Sequence, residues 1–335
     1  MNLHGLYISA IVCLLGANAS CSGRSQAAAA EATPAEQISV YEGFSADSAY
    51  AYVARQVEFG PRVPGTAAHD RCRDWLVDRL AKAGADTVYT IGTDAQAWDG
   101  AKFKVDNIFA QYNPQASKRI ILLAHYDTRP WADQDPDESK RLQPIDGAND
   151  GASGVGVLLE IARNLGIRRP EIGVDILLTD AEDYGARDGV AVDNESDTWC
   201  IGTQQFAELM PYPADSKPYM GILLDMVGGR DATFPMEYFS TRYAQNPTAR
   251  LWGAAGKIGL GQRFPKKLGG AITDDHLPLI RAGIPTTDVI ETNHPATGGF
   301  NPTWHTHADN LENIDAATLG AVGKVTINFI YNEKP

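Results

Sequence analysis

A single α/β domain, with a largely parallel central sheet flanked by helices on both faces, is the fold the sequence predicts. Three observations predict it. From about residue 105 onward, short apolar, β-branched runs alternate with stretches of helical periodicity; the runs are apolar at nearly every position; and acidic or imidazole residues stand directly after them. Strands buried on both faces read as continuous apolar runs and need helices over each face. Ligands in open sheets of this kind bind beyond the carboxyl ends of the strands, so those trailing polar residues mark the rim where chemistry is expected.

Residues 6–19 form an apolar run about as long as a signal-peptide core and too short to span a bilayer comfortably. Residues 1–21 are therefore expected to be an export signal. Its end, Asn18-Ala19-Ser20-Cys21, resembles the lipobox of bacterial lipoproteins, which implies a periplasmic or cell-envelope location with a lipid anchor at Cys21; a plain cleaved signal is the alternative. Residues 22–40, rich in Ala, Ser and Glu, read as a flexible tether. The folded domain is expected to occupy residues 41–335.

Two helical patterns, 45–59 and 67–83, are separated by the turn-rich Gly60-Pro61-Arg62-Val63-Pro64-Gly65-Thr66. Strand patterns follow at 105–112, 119–125, 174–179, 219–226 and 286–291. Helical patterns at 153–165, about 203–209, 248–258, 276–282 and 316–331 lie among and after them. The last carries Leu319, Val322, Val325 and Phe329 at the spacing of one buried face. With 44% hydrophobic residues the chain can bury one large core. A net charge of -13 excludes a nucleic-acid footprint, which needs clustered Lys and Arg. Cys72 and Cys200, the cysteines outside the first 21 residues, form no disulfide framework; Cys72 reads as a buried structural thiol, with a bridge to Cys200 left open.

The strand ends carry His125-Tyr126-Asp127, Glu182-Asp183 and Asp225, with Asp150 opening a helix and His305 late in the chain. Carboxylate and imidazole are the ligand set of a catalytic zinc, which takes three protein ligands and keeps one open position. Taken singly, each has a plainer reading: Asp150 as a helix cap, Glu182-Asp183 as a solvated turn, Asp225 as a turn brace, His305 as a satisfied histidine. Their joint placement along one rim favours the metal site. The acidic stretch Asp133-Gln134-Asp135-Pro136-Asp137-Glu138 reads as a solvated loop rather than a calcium loop, because it lacks the glycine and distal Glu that calcium loops use.

The order His125-Tyr126-Asp127, Asn149-Asp150-Gly151-Ala152-Ser153-Gly154, Glu182-Asp183, Leu224-Asp225-Met226-Val227-Gly228 and His305-Thr306 resembles the zinc exopeptidases of the aminopeptidase class. The likeness spans roughly residues 58–314 and begins with Phe59-Gly60-Pro61-Arg62-Val63-Pro64-Gly65-Thr66. Within that superfamily, Trp304-His305-Thr306-His307-Ala308-Asp309 and Asp274-Asp275-His276-Leu277-Pro278 are similar to the type II (animal-like) glutaminyl cyclases, where peptidases usually place Ser at the position of Asp274. This resemblance implies one zinc held by Asp150, Asp183 and His305, with Glu182 as proton shuttle. Asp225 and Asp274 would form a hydrogen-bonded acidic pair that accompanies catalysis, and Trp304 and Trp199 the pocket walls. The implied reaction converts the N-terminal Gln of peptides or proteins to pyroglutamate and releases ammonia. The chain departs from the animal pattern at Asp183, where Glu is common, at Asp288, where a His is usual, and at Ala124, where a disulfide cysteine stands.

Two other readings stay open at this stage. A di-zinc aminopeptidase would use His125 and Asp225 for a second metal, bridged by Asp150. A non-catalytic peptide-binding lipoprotein would keep the scaffold, but it would not need Glu182.

Overall fold

The computed structural model describes residues 40–213 and 215–335. The expected export signal, the anchor at Cys21 and the tether through residue 39 lie outside the described residues. In chain order the elements are helices α1 (Ala46–Val57) and α2 (Ala67–Lys82), strands β1 (Thr87–Ile91), β2 (Asp94–Gln96), β3 (Lys102–Lys104), β4 (Asn107–Tyr112) and β5 (Arg119–His125). Then come α3 (Ala152–Ile167), β6 (Gly173–Thr179), α4 (Ile201–Glu208), β7 (Met220–Leu224), α5 (Tyr238–Tyr243), α6 (Gln245–Lys257), α7 (His276–Arg281), β8 (Thr286–Val289) and α8 (Ala316–Asn332). The caps are local: Ser45 accepts the Ser48 amide at the start of α1, Thr66 the His69 amide at α2, and Asp315 the Ala317 amide at α8.

Six strands form one sheet in the order β1-β4-β6-β5-β7-β8. β6, β5, β7 and β8 run parallel, while at one edge β4 pairs antiparallel with β6 and β1 pairs antiparallel with β4. All four parallel strands therefore end on the same rim. β5 lies between strands reached in opposite directions along the sheet, which is the switch point where a crevice opens.

The apolar runs divide by the two-residue period of a strand. Ile120, Leu122, Ala124, Ile176, Leu178, Ile222 and Leu224 face one core with residues of α1, α3, α6 and α8, including Val53, Val155, Trp252 and Val325. Ile121, Leu123, Leu177 and Leu223 face the other, with Phe206 of α4 and Leu279 of α7. The expected two-sided burial is thus what the sheet shows.

Edge strand β1, the β2–β3 hairpin and short α5 were not expected. β1 is half exposed along its length, so its side chains carry little of the apolar signal that marks a buried strand. No described helix is long and apolar enough to cross a membrane.

Cys72 and Cys200 are both buried and free, and no bridge joins them. Burial pushes the Cys72 thiol up to about 12, and burial with the negative charges of Glu182 and Asp275 pushes Cys200 well above its ordinary value. In protein beginning after Cys21, neither thiol is expected to react with an aromatic disulfide reagent at about pH 8 until the chain is unfolded. Fast reaction of one thiol in the native state would contradict this packing.

Candidate metal centre and pocket

The rim is built by loops that hold one another. Asp127, two residues beyond β5, accepts the backbone amides of Glu182 and Asp183 at 3.1 Å each, fixing the loop that follows β6. Asp309 accepts the amides of Asn149 at 2.7 Å and Asp150 at 3.1 Å, fixing the start of α3. Asn149 Oδ1 and Ser153 Oγ in turn accept the amides of Gly228 and Val227, which sets the turn after β7. Gly151 is required where it stands, because a Cβ there would lie 2.7 Å from ring atoms of His125.

Asp150 is not the helix cap that its position alone suggests. Gly151 occupies the N-cap of α3 and makes no side-chain cap bond. The Asp150 carboxylate instead reaches His125 Nε2 at 3.0 Å and His305 Nε2 at 3.7 Å. His305 Nε2 also stands 3.3 Å from Asp183 Oδ1, and the other Asp183 oxygen is buried without a hydrogen-bond partner. Asp150, Asp183 and His305 can each offer one donor atom within 4.8 Å of the others. Donors bonded to one tetrahedral zinc at ~2 Å stand about 3.3 Å apart, so the spacing, the orphaned oxygen and the imidazole–carboxylate set all fit a zinc.

His125, Asp150 and Asp225 make a second such group, Asp225 Oδ1 lying 3.2 Å from His125 Nε2. The two groups share Asp150. They differ in access, since Asp150, Asp183, Asp225 and His305 line the pocket described below and His125 does not.

That pocket has a volume of about 390 Å³ and holds the candidate ligands at its floor. Trp304 stacks on His305 with ring centres 3.7 Å apart, and Trp199 lies nearly parallel to the same imidazole at 6.1 Å. Trp199 can sit there only because residue 185 is glycine: a Cβ would fall 2.0 Å from the indole. Phe300 and Ile272 complete an apolar wall.

Glu182 and Asp274 face the same space. Burial drives the Glu182 carboxyl well above the usual carboxylate range, and the charges of Asp274, Asp183 and Asp275 add to this against His125. Asp274 is raised in the same way, by burial and then by Asp225 and Asp275. The thiol of Cys200 donates to Glu182 Oε1 at 3.4 Å. Ala181, Cys200, Met226 and His305 all adopt left-handed backbone conformations, which non-glycine residues tolerate only when their surroundings enforce them. Such strain gathers at working sites.

The expected hydrogen-bonded pair of Asp225 and Asp274 is not formed. Asp225 is hydrogen-bonded to His125 instead, and Asp274 Oδ2 has no partner. The two carboxylates meet only through charge, because the position of Asp225 beyond β7 puts its oxygen beside the imidazole that ends β5. Asp288, the departure on β8, is buried, and its Oδ2 stands 3.9 Å from Nδ1 of His276.

The acidic loop is also not simply solvated. Asp133 and Asp135 are buried, Asp133 in a two-point ion pair with Arg129 and Asp135 accepting the amide of His307. Arg129, Asp133, Asp309 and Cys200 are site residues that sequence reasoning missed. An arginine two residues beyond the rim motif His125-Tyr126-Asp127, Arg129, was the one available signal.

Residues 107–330 match the model of peptidase family M28. The chain belongs to that family. Among solved structures it is similar to the Bacteroides thetaiotaomicron glutaminyl cyclase bound to N-acetylhistamine, at 47% identity over 88% of this chain and all of that one, with a TM-score of 0.85. A Zn-dependent exopeptidase from Parabacteroides distasonis is similar at 48% identity over 88% of this chain and all of that one, TM-score 0.84. The glutaminyl-peptide cyclotransferase of Bos taurus is 26% identical over 80% of this chain and 77% of its own length. The bacterial cyclase is therefore nearer in sequence than the animal one. Family and ligand set together make zinc the cofactor of this M28 chain.

Proposed function

We propose that this chain is a zinc-dependent glutaminyl-peptide cyclotransferase of type II character, nearer to its bacterial than to its animal relatives. It converts the N-terminal Gln of peptides and proteins to pyroglutamate and releases ammonia. The observation that carries this reading is a buried carboxyl, Glu182, beside a second buried carboxyl, Asp274, in a small aromatic-walled pocket that shares its floor with Asp150, Asp183 and His305. The similar chains named as glutaminyl cyclases support it.

In this reading residues 41–335 form the catalytic domain, and one zinc is held by Asp150, Asp183 and His305. Bound there, zinc supplies a Lewis acid for the side-chain carbonyl of Gln. Trp199 and Trp304 flank the Gln side chain and hold it folded back toward its own α-amine, so that nucleophile and carbonyl carbon meet within one residue. The α-nitrogen bonds to the side-chain amide carbon as the bond to the amide nitrogen breaks. Glu182 takes a proton from the α-amine and gives it to the departing nitrogen, which leaves as ammonia. A carboxyl with raised proton affinity suits that return step. Asp225 and Asp274 present carboxyl oxygens to the same pocket and serve to hold the amine by hydrogen bonds. No protein nucleophile is needed, and the thiol of Cys200 is placed to steady Glu182. The apolar run at residues 6–19 and the small residues before Cys21 support export and a lipid anchor in the bacterial envelope.

The test is parallel incubation of the zinc-loaded protein with a Gln-initiated and a Leu-initiated peptide. Ammonia equal to the peptide consumed, with no free leucine, is expected. Release of leucine without ammonia would replace the reading with an aminopeptidase.

A further inference from the structure

Arg129 is almost fully buried, and its guanidinium is saturated by one side of the metal centre. Nε and Nη2 pair with the Asp133 carboxylate at 2.9 and 2.6 Å. Nη1 reaches the Asp183 carboxylate at 3.4 Å and the Asp183 carbonyl at 3.2 Å, and the carbonyls of Gly185 and Ala186 lie at 3.4 and 3.3 Å from Nη1 and Nη2. The same guanidinium sits 4.7 Å from the ring centre of Trp199. On its other side Asp133 Oδ1 stands 3.3 Å from His305 Nδ1, and Asp133 Oδ2 accepts the Asp188 amide at 3.1 Å.

We propose that Arg129 and Asp133 are positioning residues that act as one strut, fixing two of the three zinc ligands and the Trp199 wall. An imidazole that offers Nε2 to a metal carries its proton on Nδ1, and a carboxylate accepting that proton fixes both ring orientation and tautomer. Asp133 occupies that place for His305. A carboxylate ligand has freedom to rotate, and Arg129 removes it for Asp183 by binding one oxygen and the carbonyl of the same residue, leaving Oδ2 without a protein partner. Lysine could not do this, since the five fixed donors of a guanidinium serve Asp133, Asp183, Gly185 and Ala186 at once. The cation over Trp199 ties the pocket wall to the same strut. The inference rests on the ligand assignment above, but its test does not depend on what the enzyme turns over.

The measurement is the zinc dissociation constant of apoprotein, by competition with a chromophoric chelator, for wild type, Asp133→Asn and Arg129→Lys. The visible spectrum of each cobalt-substituted protein is recorded alongside. Circular dichroism of the apo forms establishes which variants are folded. Outer partners of metal ligands commonly contribute about tenfold to a hundredfold in affinity. Each folded variant is expected to bind zinc at least about tenfold more weakly, with a changed cobalt spectrum, and the double variant to lose much less than the product of the single losses. Arg129→Lys keeps the charge and so serves where Asp133→Asn fails to fold. A folded variant of either kind with wild-type zinc affinity and an unchanged cobalt spectrum would overturn the proposal. Failure of wild type to cyclise Gln peptides would sink the proposed reaction and leave these affinities standing.

Discussion

Glu182→Gln is expected to bind zinc as wild type does and to lose about a hundredfold to ten-thousandfold in kcat, the range general acid-base catalysis commonly supplies. The amide nearly matches the carboxylate in size and can still accept from Cys200, so the pocket keeps its shape. It can no longer take the α-amine proton. Because Glu182 makes no ligand contact in the Asp150, Asp183 and His305 group, zinc content should stay unchanged, and KM should move far less than kcat. The check is steady-state ammonia release together with metal analysis of the same preparation. Equal losses of zinc and activity would make Glu182 a ligand rather than a proton carrier.

His305→Ala is expected to have the larger structural consequence. It removes one of the three proposed ligands and also the ring on which Trp304 stacks. Wild type should contain one zinc per chain, lose activity on treatment with a strong chelator, and regain it with added zinc. Saturating a site at a thousand times its dissociation constant stabilises the folded chain by about 4 kcal/mol. Wild-type apoprotein should therefore melt several degrees higher when zinc is added, and His305→Ala should not respond. Two zinc ions per wild-type chain would show that His125 and Asp225 also hold metal.

Much of this was legible in the residues, and for identifiable reasons. β5 runs from Arg119 to His125 as its apolar pattern indicates, because a strand buried on both faces has nothing but its hydrophobicity to display. The ligand candidates stand at strand ends, where a parallel sheet brings them together whatever the loops do. β1 was silent because it is an edge strand in which no residue is fully buried. Asp133 was misread because alternating carboxylates usually mean solvent, and only the fold shows Arg129 buried against it. Asp309 sits in a loop rich in polar residues, and nothing in its neighbours signals that its carboxylate receives the amides of Asn149 and Asp150 from 160 and 159 residues away. The partner of Asp225 was likewise hidden: His125 and Asp274 both lie within reach of the β7 end, and choosing between them needs distances.

The most direct test of the account follows one nitrogen. A peptide beginning with Gln, isotopically labelled only in its side-chain amide, is incubated with the zinc-loaded protein and examined by mass spectrometry. The account predicts that all of the label leaves as ammonia, that the peptide loses the mass of one ammonia, and that its α-nitrogen remains in the ring. Label retained in free glutamine would mean cleavage of the first peptide bond, and labelled ammonia with a Glu-initiated product would mean attack by water; either would contradict cyclisation.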